Sequence, residues 1–342
     1  MPPTGFESIT IEGFKSIQSI QNLRLRPINI LIGANGSGKS NFLEAFVFLD
    51  EAMNGRKEKY VQENGGADKL LHFGSGETES ILIGYLAQSG YSLFAGFEYR
   101  QGDRLDPQDD SLAGTAVPGG FSYQEAPTWR KYDFVDTKRH SPFKKTNEIH
   151  DNRFLRSDGA NLAAFLYLLK ARYGSSYELV RRTVQLVAPF FEDFQLTPLA
   201  LNPDTIKLEW KHKNSDGYFS ASTFSDGTLR FIALATLFLQ PVELRPAVIL
   251  IDEPELGLHP VAITLLASLI RQASVDTQVI VATQSPRLVD YFDPEDILVA
   301  NRIHGATTIE RLASEPLTEW LDEYSLGELW EKNEFAGRPM RE

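Results

Sequence analysis

One glycine-rich octapeptide constrains this chain more than any other feature. Gly33-Ala34-Asn35-Gly36-Ser37-Gly38-Lys39-Ser40 meets the pattern G-x-x-x-x-G-K-[ST] at every fixed position. Its setting agrees with the pattern. Before it runs Ile28-Asn29-Ile30-Leu31-Ile32, which reads as a buried strand. After it, Phe42, Leu43, Phe46, Val47 and Leu49 recur at helical spacing. Glycines let a backbone wrap closely around phosphate, and the following helix turns its positive end and free N–H groups toward the anion. Lys39 is then expected to hold β- and γ-phosphates, and Ser40 to ligate Mg²⁺.

The rest of the chain fits a sheet covered by helices. Period-two alternation through Ile9, Ile11, Phe14, Ile17, Leu23 and Leu25 predicts strands at the N-terminus. Short β-like runs at 81–86 and 91–94 predict antiparallel hairpins, with a loop over 101–120. A helical pattern returns over 158–194, with Leu162, Phe165, Leu166 and Leu169 on one face and Pro189 ending or kinking it. Strands are expected at 205–210 and 218–223. Helices at 226–239, 260–273 and 286–291 then alternate with strands at 247–251, 278–282 and 296–300. That alternation is the mark of an α/β fold with a mostly parallel sheet.

Composition narrows the function classes. With no cysteine, disulfides, thiolate metal sites and a thiol nucleophile are excluded. The longest apolar run, 231–239, stops at Gln240-Pro241 and is too short for a membrane helix. The N-terminus lacks the basic and apolar regions of a signal peptide, so a cytoplasmic protein is expected. A formal charge of −12 argues against nonspecific DNA binding by the whole surface, and leaves a local basic patch open.

Two further segments carry chemistry. Ala247 to Ile251 form an apolar strand that runs into Asp252-Glu253. Asp252 can reach Mg²⁺ directly or through water, and Glu253 can act as general base toward an attacking water. Ser225-Asp226-Gly227-Thr228 opens an apolar helix; a serine N-cap followed by glycine offers free N–H groups to an anion.

Together these residues resemble an ABC-type ATPase head of the RecF/SMC-like kind. Glu12 to Ile17 is similar to the N-terminal strand of that family, and Gly33 to Ala45 to its phosphate loop and first helix. Ser225 to Thr228 resembles its signature, Ile251 to Pro254 its Walker B strand, Glu255 to Pro260 its D-loop, and Ala282 to Pro286 its switch. Two positions depart from the pattern: the switch residue, often His, is Gln284, and Asp226 stands where many transporters have Gly. A neutral amide can hydrogen-bond a phosphate or a water but cannot carry its proton.

The resemblance implies a P-loop NTPase, α/β in class. It has a core over 1–53 and 200–316, a β-rich insertion over 54–150, a helical lobe over 151–199 and a helical tail over 317–342. It implies ATP and Mg²⁺ as ligands. The expected nucleotide contacts are Gly33, Ala34, Asn35, Gly36, Ser37, Gly38, Lys39, Ser40, Asn41 and Lys15, with Ser225, Asp226 and Gly227 reaching the site of the other subunit. Metal ligands would be Ser40 and Asp252; the catalytic groups would be Glu253, Gln284 and Lys39. Lys15 reads equally as a solvated surface lysine. His259 is read as a D-loop interface residue rather than a metal ligand. A homodimer closing on two ATP molecules follows, acting as a switch on a separately encoded effector, as stand-alone RecF-like ATPases do in bacterial antiviral defence. DNA repair or chromosome maintenance by direct DNA clamping is the alternative. No additional acidic nuclease domain is expected after the core.

Basic residues outnumber acidic ones over 129–156, where Arg130, Lys131, Lys138, Arg139, Lys144, Lys145, Arg153 and Arg156 are interleaved with Trp129, Tyr132, Phe134 and Phe143. This is a nucleic-acid or partner surface, or else a solvated edge. In the tail, Leu317, Trp320, Leu321, Tyr324, Leu329 and Trp330 give an apolar side, either to pack on the sheet or to dock another subunit.

Overall fold

The computed structural model describes residues 5–108, 126–134, 141–313, 320 and 323–332. They divide into two units. The first holds Met1–Arg130, Ala247–Asp252 and Gln278–Glu342, and the second Lys131–Pro246 and Glu253–Thr277.

In the first unit the alternating N-terminal segment forms β1 (Phe6–Phe14) and β2 (Ile17–Arg24). They join β4 (Ser80–Ala87), β5 (Ser92–Arg100) and β6 (Arg104–Pro107) in an antiparallel sheet of order β2-β1-β4-β5-β6. The apolar run before the glycine loop is β3 (Ile28–Ile32), buried at every residue. It is a central strand of a second sheet, ordered β16-β15-β3-β14-β13-β7. The other members are β7 (Trp129–Tyr132), along which the chain leaves the unit, β13 (Val248–Asp252), β14 (Gln278–Thr283), β15 (Ile297–Ile303) and β16 (Ala306–Arg311). β13, β14, β3 and β15 run parallel.

Helix α1 (Lys39–Met53) contributes to a core shared by both sheets. Phe46 lies 5.3 Å from Phe6 of β1, and Phe48 5.1 Å from Phe97 of β5, while Leu31, Leu250 and Ile280 enter the same cluster. A helix buried on several faces loses the one-sided stripe of a surface helix, which is why Phe42, Leu43, Ala45, Phe46, Phe48 and Leu49 are all inside. The region read as hairpins also holds a short helix, α2 (Lys57–Glu63), whose Tyr60 donates to Glu44 of α1 at 2.8 Å.

The second unit contains the helical segment expected over 158–194. It is two helices, α3 (Leu162–Arg172) and α4 (Gly174–Val187), with Tyr173 closing one and opening the other. Glycine at the junction favours the break. The chain continues through β9 (Phe191–Gln195) and β11 (Glu209–His212) to β12 (Tyr218–Ser220), a small antiparallel sheet of order β12-β11-β9. The strand expected at 205–210 is split, with β10 (Thr205–Ile206) pairing β8 (Asn147–Glu148) instead. Helix α5 (Asp226–Leu239) is buried from Leu229 to Leu239, and α6 (Pro260–Ala273) follows the acidic loop.

In the tail, α8 (Leu326–Lys332) packs on α7 (Pro286–Val289) in the first unit; Gly327 N–H donates to Asp290 Oδ1 at 2.6 Å. Leu317 and Leu321 lie outside the described residues. So does 109–120 of the expected loop, whose earlier part contains β6.

Candidate functional site

Residues 33–38 bridge the end of β3 and the start of α1. Gly36 and Gly38 take φ of 80° and 98°, a left-handed backbone that side chains disfavour. A Cβ on Gly33 would collide with the Ala300 carbonyl oxygen, and one on Gly38 with Thr307 Oγ1. The loop is thus pressed against β15 and β16, and only glycine fits. Lys39 is buried, its Nζ donating to the carbonyls of Gly33 (2.7 Å) and Ala34 (2.9 Å). Ser37 Oγ is buried without a hydrogen-bond partner among the described residues. Such a hydroxyl costs roughly 1–3 kcal/mol, and an anion oxygen would satisfy it. Ser40 is exposed at the first turn of α1. The loop therefore fits a phosphate chain.

A polar chain fixes the loop from outside. Asn41 Nδ2 donates to Ser16 Oγ at 2.7 Å; Ser16 Oγ meets Thr307 Oγ1 at 2.7 Å; Thr307 Oγ1 donates to the Ser37 carbonyl at 2.9 Å. Asn41, expected to touch nucleotide, has a protein partner here. Arg302 reaches the Gly36 carbonyl at 3.3 Å. The sequence singles out neither Thr307 nor Arg302; Ser16 lies within the family-like segment Glu12 to Ile17. Hairpin register brings them to the loop, and no local motif announces that. Lys15 has φ 50° at the β1–β2 turn, and its Nζ is 3.4 Å from Asn64 Oδ1.

The parallel strands end at a common edge. Register pairs Asp252 with Ala282, and Thr283 with Ile32. β14 lies between β3 and β13, so the segment leaving it, Gln284-Ser285, emerges between the phosphate loop and Asp252. Ligands of open α/β sheets bind outside the carboxyl ends of the strands. Asp252 and Gln284 are half-buried there. Ser40 and Asp252 supply the hard oxygen donors that Mg²⁺ prefers. Glu253, the next residue along the chain, has φ 46°. A non-glycine residue held there is strained, and such strain clusters at functional sites.

Residues 28–290 match the family model described as AAA domain, putative AbiEii toxin, Type IV TA system. The chain belongs to this family. A search of curated proteins gives no match. Among solved structures, this AAA-domain chain is similar to the SmcHead bound to the C-winged helix domain of ScpA, at 17% identity and a TM-score of 0.61, covering 92% of this chain and 99% of that one. It is also similar to a Smc head domain with an extended coiled coil bound to the C-terminal domain of ScpA derived from Pyrococcus furiosus (16% identity, TM-score 0.59, 94% and 99% covered). The fold is that of an ABC/SMC-type P-loop ATPase head.

The second unit of this AAA-domain protein carries the signature-like segment. Ser225 caps α5, its Oγ accepting from Thr228 N–H at 3.1 Å, and it is exposed together with Asp226. A Cβ at Gly227 would strike the Gly257 carbonyl oxygen, so glycine lets the helix start meet the D-loop-like turn. Arg230, one turn on, is buried and donates through Nε to the Phe134 carbonyl at 3.0 Å. Burial lowers its pKa, while Asp133, Asp226 and Glu255 act to raise it. His259 caps α6 and accepts weakly from Val261 N–H at 3.4 Å. Gly227→Ala is expected to destabilise the protein by roughly 1–3 kcal/mol through overpacking, read as a lower urea midpoint; an unchanged midpoint would show that the turn yields freely.

The basic segment is altered by burial. Tyr132, Phe134 and Phe143 are core residues, so they offer no stacking face. Lys144, with a side chain 16% exposed, lies 3.9 Å from Asp226. Lys138 and Arg139 lie outside the described residues.

Proposed function

We propose that the protein binds and hydrolyses ATP with Mg²⁺ as a homodimeric switch. The carrying observation is the strand edge, where the phosphate loop, Asp252 and the segment leaving β14 come to one side of one sheet. Lys39 exchanges its loop carbonyls for β- and γ-phosphate oxygens, and the N–H groups of 33–40 hold the rest of the chain of phosphates. Ser40 and Asp252 would hold Mg²⁺, whose charge would offset that of the phosphate oxygens. Glu253 takes the proton of the attacking water, and Gln284 orients that water or the γ-phosphate. Ser225, Asp226 and Gly227 complete the site of the partner subunit, because an exposed, capped helix N-terminus is suited to an anion. ATP binding then favours the closed dimer, and hydrolysis releases it.

The switch controls a separately encoded effector in phage defence. The family description, with its putative toxin and toxin–antitoxin system, supports that setting. The SmcHead bound to ScpA is a precedent for a head of this fold carrying a separate protein. Direct DNA clamping has less support, since Tyr132, Phe134 and Phe143 of the basic segment are buried. Lys39→Ala tests the phosphate loop. It should weaken ATP binding in calorimetry by about 10²-fold, as loss of a buried charge contact of about 3 kcal/mol implies. Unchanged affinity would sink the assignment.

A further inference from the structure

Phe73 combines two features that a folded chain ordinarily avoids. Its backbone is left-handed, with φ 57°, a genuine outlier for a bulky residue. Its side chain is not repaid by burial, because the residue is 61% exposed. The residue before it is held firmly. His72 N–H donates to the Gly13 carbonyl at 3.0 Å, its Nδ1 lies 2.9 Å from the Lys15 carbonyl, and Thr78 Oγ1 donates to the His72 carbonyl at 2.6 Å. The His72 ring is buried and sits 4.4 Å from that of Phe73.

The ring is also placed against the hairpin that braces the phosphate loop. A Cβ at Gly305 would come within 2.5 Å of Phe73 Cζ, so the glycine leaves room for the ring tip on the β15–β16 turn. Two residues further along that hairpin, Thr307 bonds the Ser37 carbonyl, and on the other strand Arg302 reaches the Gly36 carbonyl. Lys15, also left-handed at φ 50°, lies on the turn to which His72 is tied. An exposed aromatic ring on a strained backbone thus follows a tightly bonded histidine and lies against the hairpin that braces a loop fitted to phosphate.

We infer that Phe73 is the platform on which the nucleotide base stacks, making it a specificity-determining residue for nucleoside triphosphate over bare polyphosphate. The inference rests on the proposed nucleotide reading of the phosphate loop. Every base has a π-face, and aromatic stacking onto a base is worth enough to change affinity measurably. The strain at Phe73 is then a cost of holding the ring ready.

The test compares ATP with inorganic tripolyphosphate, each with Mg²⁺, by calorimetry on the full chain. Phe73→Leu keeps apolar bulk and removes the π-face. It should weaken ATP by about tenfold, in the range seen for lost base stacking, and leave tripolyphosphate unchanged. Phe73→Trp should keep ATP affinity, with its added indole emission quenched by ATP and not by tripolyphosphate. Phe73→Leu that binds ATP as wild type does, or that loses both ligands equally, overturns the platform while the phosphate loop stands. Wild-type protein that binds neither ligand overturns the phosphate-loop reading and this inference with it.

Discussion

Glu253→Gln is expected to cut steady-state ATP turnover by about 10²-fold or more, the scale of a lost general base. ATP affinity should persist. Glutamine keeps the size and a hydrogen-bonding oxygen, and it bears the φ of 46° no worse than glutamate does. What it loses is the capacity to take a proton from water. With ATP bound and uncleaved, the closed dimer should accumulate, read as a doubled mass by light scattering with ATP and Mg²⁺. Phosphate release at the wild-type rate would move water activation to another group, with Gln284 the next candidate at the same strand edge.

Ser225→Arg should abolish turnover by a different route. It replaces the hydroxyl that accepts from Thr228 N–H with a long cation, at an exposed helix start. Loss of the cap costs about 1 kcal/mol, too little to unfold a domain of ordinary stability. The phosphate loop lies elsewhere in sequence and in the other unit, so ATP should still bind. Closure should fail, because the long arginine side chain would fill the space in front of the helix N-terminus that the partner's phosphate has to reach. Calorimetry showing normal ATP binding beside absent hydrolysis is the expected pattern.

Contiguity decided what could be read from the sequence. The phosphate loop, the strand carrying Asp252 and the capped start of α5 each lie within a single short stretch, and they fold as their residues demand. The parallel sheet was legible because buried strands of Val, Ile and Leu alternate with helical patterns. What escaped depends on pairing between distant strands. Thr307 is an ordinary residue of an alternating strand until the β15–β16 hairpin sets it against Ser37 and Gly38. Phe73 carries no mark in the sequence, because nothing local signals a left-handed phenylalanine. Helix α2 was hidden in a stretch too short to show periodicity. Aromatics among the basic residues of 129–156 suggested stacking faces, yet burial claimed Tyr132, Phe134 and Phe143. Charge and aromatic content alone do not tell a surface from a core edge.

The shared site is the centre of the account, and mixing two inactive variants tests it most directly. Lys39→Ala has a broken phosphate loop and an intact Ser225; Ser225→Arg has the reverse. In a heterodimer, one of the two composite sites joins the intact loop of one subunit to the intact helix start of the other. ATP turnover is to be measured for each variant alone and for the mixture. Little or none is expected from either alone, with partial recovery on mixing. Full turnover from Ser225→Arg alone, or no recovery in a mixture shown to form heterodimers, would contradict the shared site.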